Sequence, residues 1–217
     1  MKIISIGGSG ASRSSFSIIK KFKNLEMIGF LDNRLRKDQI VDGFSCLGEF
    51  SKSSFYRDLG YKFITGIGSQ NTFQEKRNKI KSYNLLNEDF IKIVSPNSIV
   101  ETSENAIKEG CLIFDNVFIG FEVNIGFLSL INTKTYVGHE SKIGDYCIVG
   151  PNSTICGNVN IHSSVYIGAG SVIRDHITIC ENVLIGCGSV VTKNISHPGI
   201  YAGVPAKLIK YWENDNL

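Results

Sequence analysis

Isoleucine or valine occupies every sixth position of this chain from Ile107 to Val191. The fifteen positions, called anchors below, are 107, 113, 119, 125, 131, 137, 143, 149, 155, 161, 167, 173, 179, 185 and 191. A small or β-branched residue stands two positions before each of the last fourteen anchors. Helices repeat about every 3.6 residues and strands every two, so neither explains this spacing. A period of six predicts a coil with three flat faces, one anchor and one tight turn per face, and eighteen residues per coil.

The anchors make five coils, and Ile93 and Ile99 are expected to start a sixth in a register offset by residues 101–105. A single coil buries little surface, so contacts between coils stabilise the stack and each end needs a cap. We expect the N-terminal domain to cover one end. The tail from Ala206 to Asp215 is expected to cover the other.

Residues 1–92 have the pattern of an α/β domain. Short apolar runs at 2–6, 27–31 and 61–67 are expected to be strands, and glycine turns followed by helical patterns come after the first and third. This succession predicts a small, Rossmann-like parallel sheet. The expected domains are 1–92, a left-handed parallel β-helix at 93–205, and a tail at 206–217.

Charge and composition exclude several classes of protein. The net charge is +3, and the 23 basic and 20 acidic residues are scattered, so nothing predicts a nucleic-acid or anionic-membrane partner. The N-terminal apolar run meets Gly7 too early for a signal peptide or a membrane span, which makes a cytoplasmic location the expectation. The six cysteines are therefore expected to be reduced thiols.

His139 is the candidate for chemistry on the β-helix. It stands two positions after the anchor Val137, at a turn, where its side chain should face outward. Counting eighteen residues onward places Gly157 beside it on the next coil. The same count stacks Asn132, Gly150, Gly168 and Gly186 in one column, and Thr133, Pro151, Ala169 and Cys187 in the next. These eight residues, the small-residue lane, form a strip with few large side chains.

The first glycine turn suggests an anion site in the N-terminal domain. It has the sequence Gly7-Gly8-Ser9-Gly10-Ala11-Ser12-Arg13, which brings backbone N–H groups and a helix N-terminus together where a diphosphate could bind. It lacks the third glycine of the dinucleotide fingerprint, so NAD is the poorer interpretation.

With these motifs the second half resembles the hexapeptide-repeat acyltransferases. The whole chain resembles the subfamily that acetylates nucleotide-linked amino sugars, such as the bacillosamine-pathway N-acetyltransferases and their sialic-acid O-acetyltransferase relatives. The most specific segments are Asn132-Thr133, His139-Glu140, Ile143-Gly144-Asp145, Gly157-Asn158-Val159 and Gly203-Val204-Pro205-Ala206-Lys207.

The resemblance implies roles at the turn. The residue matching His139 is the general base that takes a proton from the acceptor, Glu140 is expected to orient the imidazole ring, and the N–H of Gly157 is expected to bind the developing oxyanion. A neutral imidazole suits general-base work near neutral pH.

The resemblance also implies acetyl-CoA as co-substrate, bound between subunits of a homotrimer. The expected contacts are seven residues of the small-residue lane, Asn132, Thr133, Gly150, Gly168, Ala169, Gly186 and Cys187, together with Ile148, Val204, Pro205 and Lys207. Family members often have a second histidine where this chain has Ile148. A short C-terminal helix is expected after the β-helix.

The nucleotide sugar, expected to be UDP-linked, is assigned by resemblance to the N-terminal domain. The expected contacts are Gly8, Ser9, Gly10, Ala11, Ser12, Arg13, Asp32, Asn33, Gly68 and Ser69. Many relatives have a histidine at the position of Ala11.

The predicted function is therefore transfer of acetyl from acetyl-CoA to the amine of a nucleotide-linked 4-amino sugar in surface-glycan biosynthesis. O-acetylation of a sugar hydroxyl is the alternative, because His139 serves either acceptor. A γ-type carbonic anhydrase is disfavoured, because His139, His162 and His176 fall at three different places in the eighteen-residue repeat and predict no metal site. A non-catalytic scaffold would not need the His139-Glu140 pair.

Overall fold

The computed structural model describes residues 1–8 and 10–212. Its helices are α1 (Ala11–Ile19), α2 (Ser53–Asp58) and α3 (Lys76–Lys81), with short 3₁₀ turns at Phe50–Lys52, Asn87–Asp89 and Glu104–Ala106. None of the helices among the described residues is long and apolar enough to cross a membrane.

The N-terminal domain is a five-stranded sheet with the order β3-β4-β2-β1-β5. Its strands are β1 (Lys2–Ile6), β2 (Glu26–Leu31), β3 (Ile40–Val41), β4 (Phe44–Gly48) and β5 (Lys62–Thr65). β1 is parallel to β2 and β5, and β4 is parallel to β2, while β3 joins β4 in a short antiparallel pair. The predicted Rossmann-like parallel sheet is confirmed.

Residues 93–210 form the predicted left-handed parallel β-helix, with three faces numbered here in chain order. The first face contains β6 (Ile93–Val94), β8 (Leu112–Ile113), β11 (Leu130–Ile131), β14 (Ile148–Val149), β17 (Tyr166–Ile167), β20 (Val183–Ile185), β22 (Gly199–Ala202) and β23 (Lys207–Lys210). The second contains β7 (Ile99–Val100), β9 (Phe118–Ile119), β12 (Tyr136–Val137), β15 (Thr154–Ile155), β18 (Val172–Ile173) and β21 (Val190–Val191). The third contains β10 (Asn124–Ile125), β13 (Lys142–Ile143), β16 (Asn160–Ile161) and β19 (Thr178–Ile179).

All fifteen predicted anchors lie in one buried core, as the six-residue period requires. The residues two positions before the last fourteen anchors are buried as well, including the serines. Ser129, Ser141 and Ser153 donate their hydroxyls to turn carbonyls of the next coil, at 2.8, 2.9 and 3.0 Å. Because these polar atoms have partners, small serines can fill the corners of the core.

In each of fourteen tight turns of the repeat, the residue three positions after the anchor has a left-handed backbone conformation, with φ between 55° and 72°. Eleven of these fourteen residues are not glycine, and four of them are asparagine, which tolerates this conformation well. The glycines that directly follow an anchor are needed for a different reason, the space between coils. A methyl group at Gly138 or Gly168 would lie 2.7 or 2.5 Å from the backbone of the next coil, so these glycines permit the close stacking of coils.

The first coil differs from the prediction by one residue. Val94 pairs with Ile113 and Val100 with Ile119, so the valines point inward and continue the core. Ile93 faces the N-terminal domain instead, and Ile99 is 61% exposed. The expectation that Ile93 and Ile99 act as inward residues was wrong because each two-residue strand alternates its sides and the offset places the valines inside.

The N-terminal domain lies along a side of the β-helix. Ile3, Ile18, Ile64 and Phe73 pack with outward-facing residues of the first face, namely Leu112, Leu130, Ile148, Tyr166 and Leu184. The expectation that this domain covers an end of the stack is therefore corrected. The apolar column on the first face, which the anchor pattern does not include, is the reason for the sideways packing.

The C-terminal segment is a strand, and the expected short helix is wrong for the described residues. β23 pairs antiparallel with β22, and the Ala206 N–H donates to the Val190 carbonyl at 2.8 Å. Tyr201 and, from the predicted tail, Ala206 pack against the core, whereas Ile209 is 65% exposed and Trp212 packs against Phe73 of the N-terminal domain. A strand forms here because β22 offers an unsatisfied edge to which the chain can return. Residues 213–217 of the predicted tail lie outside the described residues.

Lys76 is a fully buried cation at the contact between the domains. Its Nζ donates to the carbonyl oxygen of Leu128 at 2.6 Å. Within the described ranges, 1–8 and 10–212, no carboxylate forms an ion pair with it. Burial lowers the pKa of Lys76 from 10.5 to about 8.

The contribution of Lys76 to stability is therefore expected to rise with pH. Between pH 8 and 10.5 the unfolded chain keeps the proton that the folded chain has released, so the free energy of unfolding increases with pH. Burial raises the pKa values of Cys111 and Cys147 from 9.0 to about 12, so their contribution to the free energy of unfolding falls as pH rises above 9 and opposes that of Lys76. Urea unfolding of the wild type and of Lys76→Met at pH 7.5 and 9.5 isolates the lysine. The wild type should gain stability relative to the variant, and an unchanged difference would contradict the assignment.

Candidate active site

The β-helix has three edges, one between each pair of faces. The first edge, between the first and second faces, carries the small-residue lane. The second edge, between the second and third faces, carries His139 and Gly157. The third edge packs against the N-terminal domain through Phe127, Leu128 and Tyr146.

His139 and Glu140 form a hydrogen-bonded pair on the second edge. The imidazole Nδ1 lies 3.0 Å from Oε2 of Glu140. Since a carboxylate can only accept, Nδ1 carries the proton, and in the neutral ring Nε2 keeps a free lone pair. Hydrogen bonds from His139 and then Asn158 hold the pKa of Glu140 below its ordinary value. The pair is thus arranged as a base with an orienting carboxylate.

Gly157 lies directly under the imidazole, as the eighteen-residue count predicts. A methyl group at this position would lie 2.6 Å from Nε2 of His139 and 2.7 Å from Cε1. Any other residue at 157 would therefore displace the ring. Within residues 1–8 and 10–212, the Gly157 N–H has no protein acceptor. A reacting atom beside Nε2 could therefore meet this donor as well.

The small-residue lane forms as predicted on the first edge. Gly150 and Gly168 are buried, and the backbone of the following coil leaves no room for a Cβ at either position, while Thr133, Pro151 and Cys187 are exposed beside them. The segment Gly203–Lys207 follows Gly186 at the far end, where the Gly203 N–H donates to Ser189 Oγ at 3.2 Å. Val204, Pro205 and Lys207 are exposed there. The lane and this segment make one continuous strip.

Ile148 does not lie with the other residues assigned to the cofactor. It is on the first face and 4% exposed, and a Cβ added at Gly68 would lie only 2.5 Å from its Cδ1. Gly68 lines the cavity of the N-terminal domain, so Ile148 packs directly behind that cavity. An apolar side chain at 148 keeps this contact between the domains dry.

A cavity of about 580 Å³ opens at the carboxyl ends of β1, β2 and β5. Five of the predicted substrate contacts line it, namely Gly10, Ser12, Asn33, Gly68 and Ser69. The Ser12 hydroxyl accepts the Gly66 N–H at 3.1 Å and so ties the two glycine loops together. Crevices at the carboxyl ends of parallel strands are the usual ligand sites of such sheets.

Other predicted contacts have different surroundings. Gly8 packs against the Phe30 ring, which leaves no room for a Cβ. The Arg13 guanidinium forms an exposed ion pair with Asp42, with Nη2 2.7 Å from Oδ1. The structure places Ala11 at the start of α1, and Ser9 lies outside the described residues.

Asp32 is fully buried and its carboxylate is already occupied. Oδ2 accepts the Gly8 N–H at 3.1 Å, and Arg34 donates to both oxygens at 3.1 and 2.9 Å. Burial raises the pKa of Asp32, but the hydrogen bonds from Arg34 and Gly8 outweigh it and hold the pKa below its ordinary value. Asp32 therefore shapes the cavity from behind, while Arg34 faces into it.

Sequence reasoning missed several lining residues of this cavity, namely Arg34, Phe50, Thr72, Lys79 and Tyr83. Phe50 and Tyr83 form an aromatic pair with ring centroids 4.9 Å apart. Arg34 stands two residues after Asp32 and could have been found from that turn. Phe50 and Tyr83 are distant in sequence, and only the fold brings them together.

The cavity and His139 lie on opposite sides of one subunit. The N-terminal domain packs on the first face and third edge, and the second edge is the one opposite the first face. In a single copy the β-helix therefore lies between the cavity and Nε2 of His139. Within the described residues, no cluster of histidine, cysteine, aspartate and glutamate could hold a metal ion.

Two family models match the chain. The PglD N-terminal domain model matches residues 2–80, and the model described as bacterial transferase hexapeptide (six repeats) matches residues 158–193. Both halves of the predicted resemblance are confirmed. A search of curated protein sequences finds no match.

Solved structures of this architecture cover almost the whole chain. A histidine-to-asparagine variant of perosamine N-acetyltransferase from Caulobacter crescentus, in complex with CoA and GDP-perosamine, has a TM-score of 0.83 at 22% identity over 97% of both chains. WeeI from Acinetobacter baumannii AYE has a TM-score of 0.78 at 23% identity, over 96% of this chain and 100% of that one. The acetyltransferase domain of PglB from Neisseria gonorrhoeae FA1090, in complex with acetyl coenzyme A, has 0.79 at 19%, over 96% and 98%. At these identities the likeness establishes the fold.

Proposed function

We propose that this chain, whose residues 2–80 match the PglD N-terminal domain and whose residues 158–193 match the bacterial transferase hexapeptide repeats, moves acetyl from acetyl-CoA to the amine of a nucleotide-linked 4-amino sugar. The observation that carries the proposal is the second edge, where an oriented imidazole stands over a glycine with a free N–H. Similar proteins hold CoA with GDP-perosamine, or acetyl coenzyme A, in their structures.

The reaction needs a base for the acceptor proton and a donor for the negative charge that develops on the carbonyl oxygen. Nε2 of His139 accepts a proton from the acceptor amine as its nitrogen bonds to the thioester carbonyl carbon. The Gly157 N–H stabilises the negative charge that develops on the carbonyl oxygen. The carbon–sulfur bond then breaks, and CoA leaves as a thiolate that takes up a proton. Glu140 stabilises the imidazolium through Nδ1 and does not itself exchange the proton.

Acetyl-CoA is proposed to lie along the small-residue lane. An extended pantetheine arm fits a strip with few large side chains, and Val204, Pro205 and Lys207 lie at its far end for the nucleotide portion. The N-terminal cavity is proposed to take the nucleotide sugar. Its glycine loops, Arg34 and Lys79 suit a diphosphate, and the Phe50 and Tyr83 rings suit a base. The predicted UDP is one of the nucleotides to be tested, beside GDP and dTDP.

A homotrimer is proposed because the site is incomplete in one copy. The second face lies between the lane and the His139 edge, and it presents an apolar column that includes a stacked pair, Phe118 and Tyr136, with centroids 5.1 Å apart. Ile99 and Phe121 beside it are 61% and 60% exposed. Copies packed on this face would bring the lane of one subunit to His139 of another.

Free thiol release tests the proposed activity. The protein is incubated with acetyl-CoA and with UDP-, GDP- and dTDP-linked 4-amino sugars, and the released CoA is measured. Turnover is expected with at least one amine, and His139→Ala should lower kcat by about 10² to 10⁴ with little change in the affinity for CoA. Turnover only with hydroxyl acceptors would contradict the amine assignment, and full activity of His139→Ala would contradict the assigned base.

A methyl group at Gly157 tests the geometry of the site. Gly157→Ala places a Cβ 2.6 Å from Nε2 of His139, so the ring must move away from the reacting atoms. We expect a fall in kcat of at least about 10²-fold, since misplacement of a catalytic group by about 1 Å can cost this much. Cys156→Ala, on the preceding residue, is the control and should keep activity. Equal activity of Gly157→Ala and wild type would exclude the site described here.

Mixed trimers test whether two subunits share one site. His139→Ala is co-expressed with Ser69→Trp, which fills the N-terminal cavity, and trimers carrying both tags are purified. In each purified mixed trimer about one third of the sites is restored, because one of the three interfaces pairs an intact histidine with an intact cavity from another subunit. Mixed trimers no more active than either parent would show that each site is formed by one subunit.

A further inference from the structure

Asn158 contacts both members of the His139–Glu140 pair. It stands eighteen residues after Glu140, on the next coil of the second edge. Its backbone N–H donates to the carbonyl oxygen of His139 at 2.9 Å. Its side-chain Nδ2 donates to Oε2 of Glu140 at 3.2 Å, the same oxygen that accepts the imidazole Nδ1–H. The carboxylate is thus held between two donors from successive coils.

The turn conformation alone does not explain this side chain. Asn158 has φ 57°, but equivalent positions hold Glu122, Lys134 and His176 with similar φ values. Asn116, Asn152 and Asn182 are also left-handed turn residues. Among the described residues, none of their side chains makes a hydrogen bond, whereas that of Asn158 points at the carboxylate. The amide is therefore matched to Glu140 rather than to the turn.

We propose that Asn158 is a positioning residue that keeps the Glu140 carboxylate aligned with Nδ1 of His139, so that Nε2 remains the basic nitrogen. This inference rests on the proposed role of His139 as the base. Without the amide, Oε2 loses one of its two donors and the exposed Glu140 side chain gains rotational freedom. The Nδ1 proton would then have no fixed acceptor, and either ring nitrogen could carry it.

Other charged and titratable groups lie near the Glu140 carboxylate. His176 follows Asn158 by one coil and, like His139, lowers the pKa of Glu140. Glu122 precedes Glu140 by one coil, and Lys142 and Glu101 line the adjoining groove. Within the described residues, only His139 and Asn158 form hydrogen bonds to the Glu140 side chain. These two therefore control its orientation.

Three variants separate positioning from turn structure. Asn158→Gly keeps a residue that tolerates φ 57° and removes the amide, and it should lower kcat roughly tenfold while the KM for acetyl-CoA stays unchanged. Asn158→Asp keeps the shape but sets a carboxylate against Glu140. The added negative charge favours the protonated imidazole, so the acid limb of the kcat/KM profile should move to higher pH. Asn182→Gly makes the same change at φ 57° on the third edge and should leave kcat and the profile unchanged.

A measurement that needs no turnover completes the test. The chain has four histidines, so two-bond ¹H–¹⁵N correlations of ¹⁵N-histidine-labelled protein can assign the His139 tautomer in each variant. The wild type should carry the proton on Nδ1, and Asn158→Gly should show a mixture of tautomers. The proposal is overturned if Asn158→Gly keeps the wild-type tautomer and the wild-type kcat. It is also overturned if Asn182→Gly lowers kcat as much as Asn158→Gly does. A lower kcat with an unchanged tautomer would overturn it too. If the wild type transfers no acetyl, the tautomer result still decides the role of Asn158.

Discussion

Hydrogen bonds between equivalent strands of successive coils determine where every side chain of the β-helix lies. Leu130 pairs with Ile148, and Tyr136 with Thr154, at a constant separation of eighteen residues. Glycines after the anchors let the coils approach, and left-handed turn residues close each corner. Residues far apart in sequence therefore stand in straight columns. The proposed site depends on two of these columns, one with His139 and Gly157 and the other with Glu140 and Asn158.

The second constraint is where the N-terminal domain packs. It covers the first face through an apolar column that runs from Leu112 to Leu184, and Lys76 is buried at that contact. The cavity with Arg34 and the edge with His139 are thereby separated by the β-helix itself. A second copy on the exposed apolar face is the simplest way to join them. The same geometry explains why His139 is exposed in one subunit, although a base for acyl transfer works best in a site closed to water.

The regular part of the molecule could be predicted from sequence because its period is a direct consequence of the fold. All fifteen anchors, the place of Gly157 beside His139 and the small-residue lane followed from counting. The predictions failed where the period ends. One inserted residue moved Val94 and Val100 inward, and a free sheet edge turned the expected C-terminal helix into β23. Ile148 and the Phe50–Tyr83 pair could not be placed, because packing between domains has no periodic signal.

The central claim is that His139 of one subunit meets an acceptor amine held by another at the thioester of acetyl-CoA. The most direct test is a crystal structure of the oligomer with CoA and a nucleotide-linked 4-amino sugar. The account predicts that the sugar nitrogen lies within hydrogen-bond reach of Nε2 of His139, about 2.6 to 3.2 Å, with the CoA sulfur near Gly157. It also predicts that the nucleotide occupies the N-terminal cavity of a different subunit. A CoA sulfur remote from His139, or a sugar bound away from that nitrogen, would contradict it.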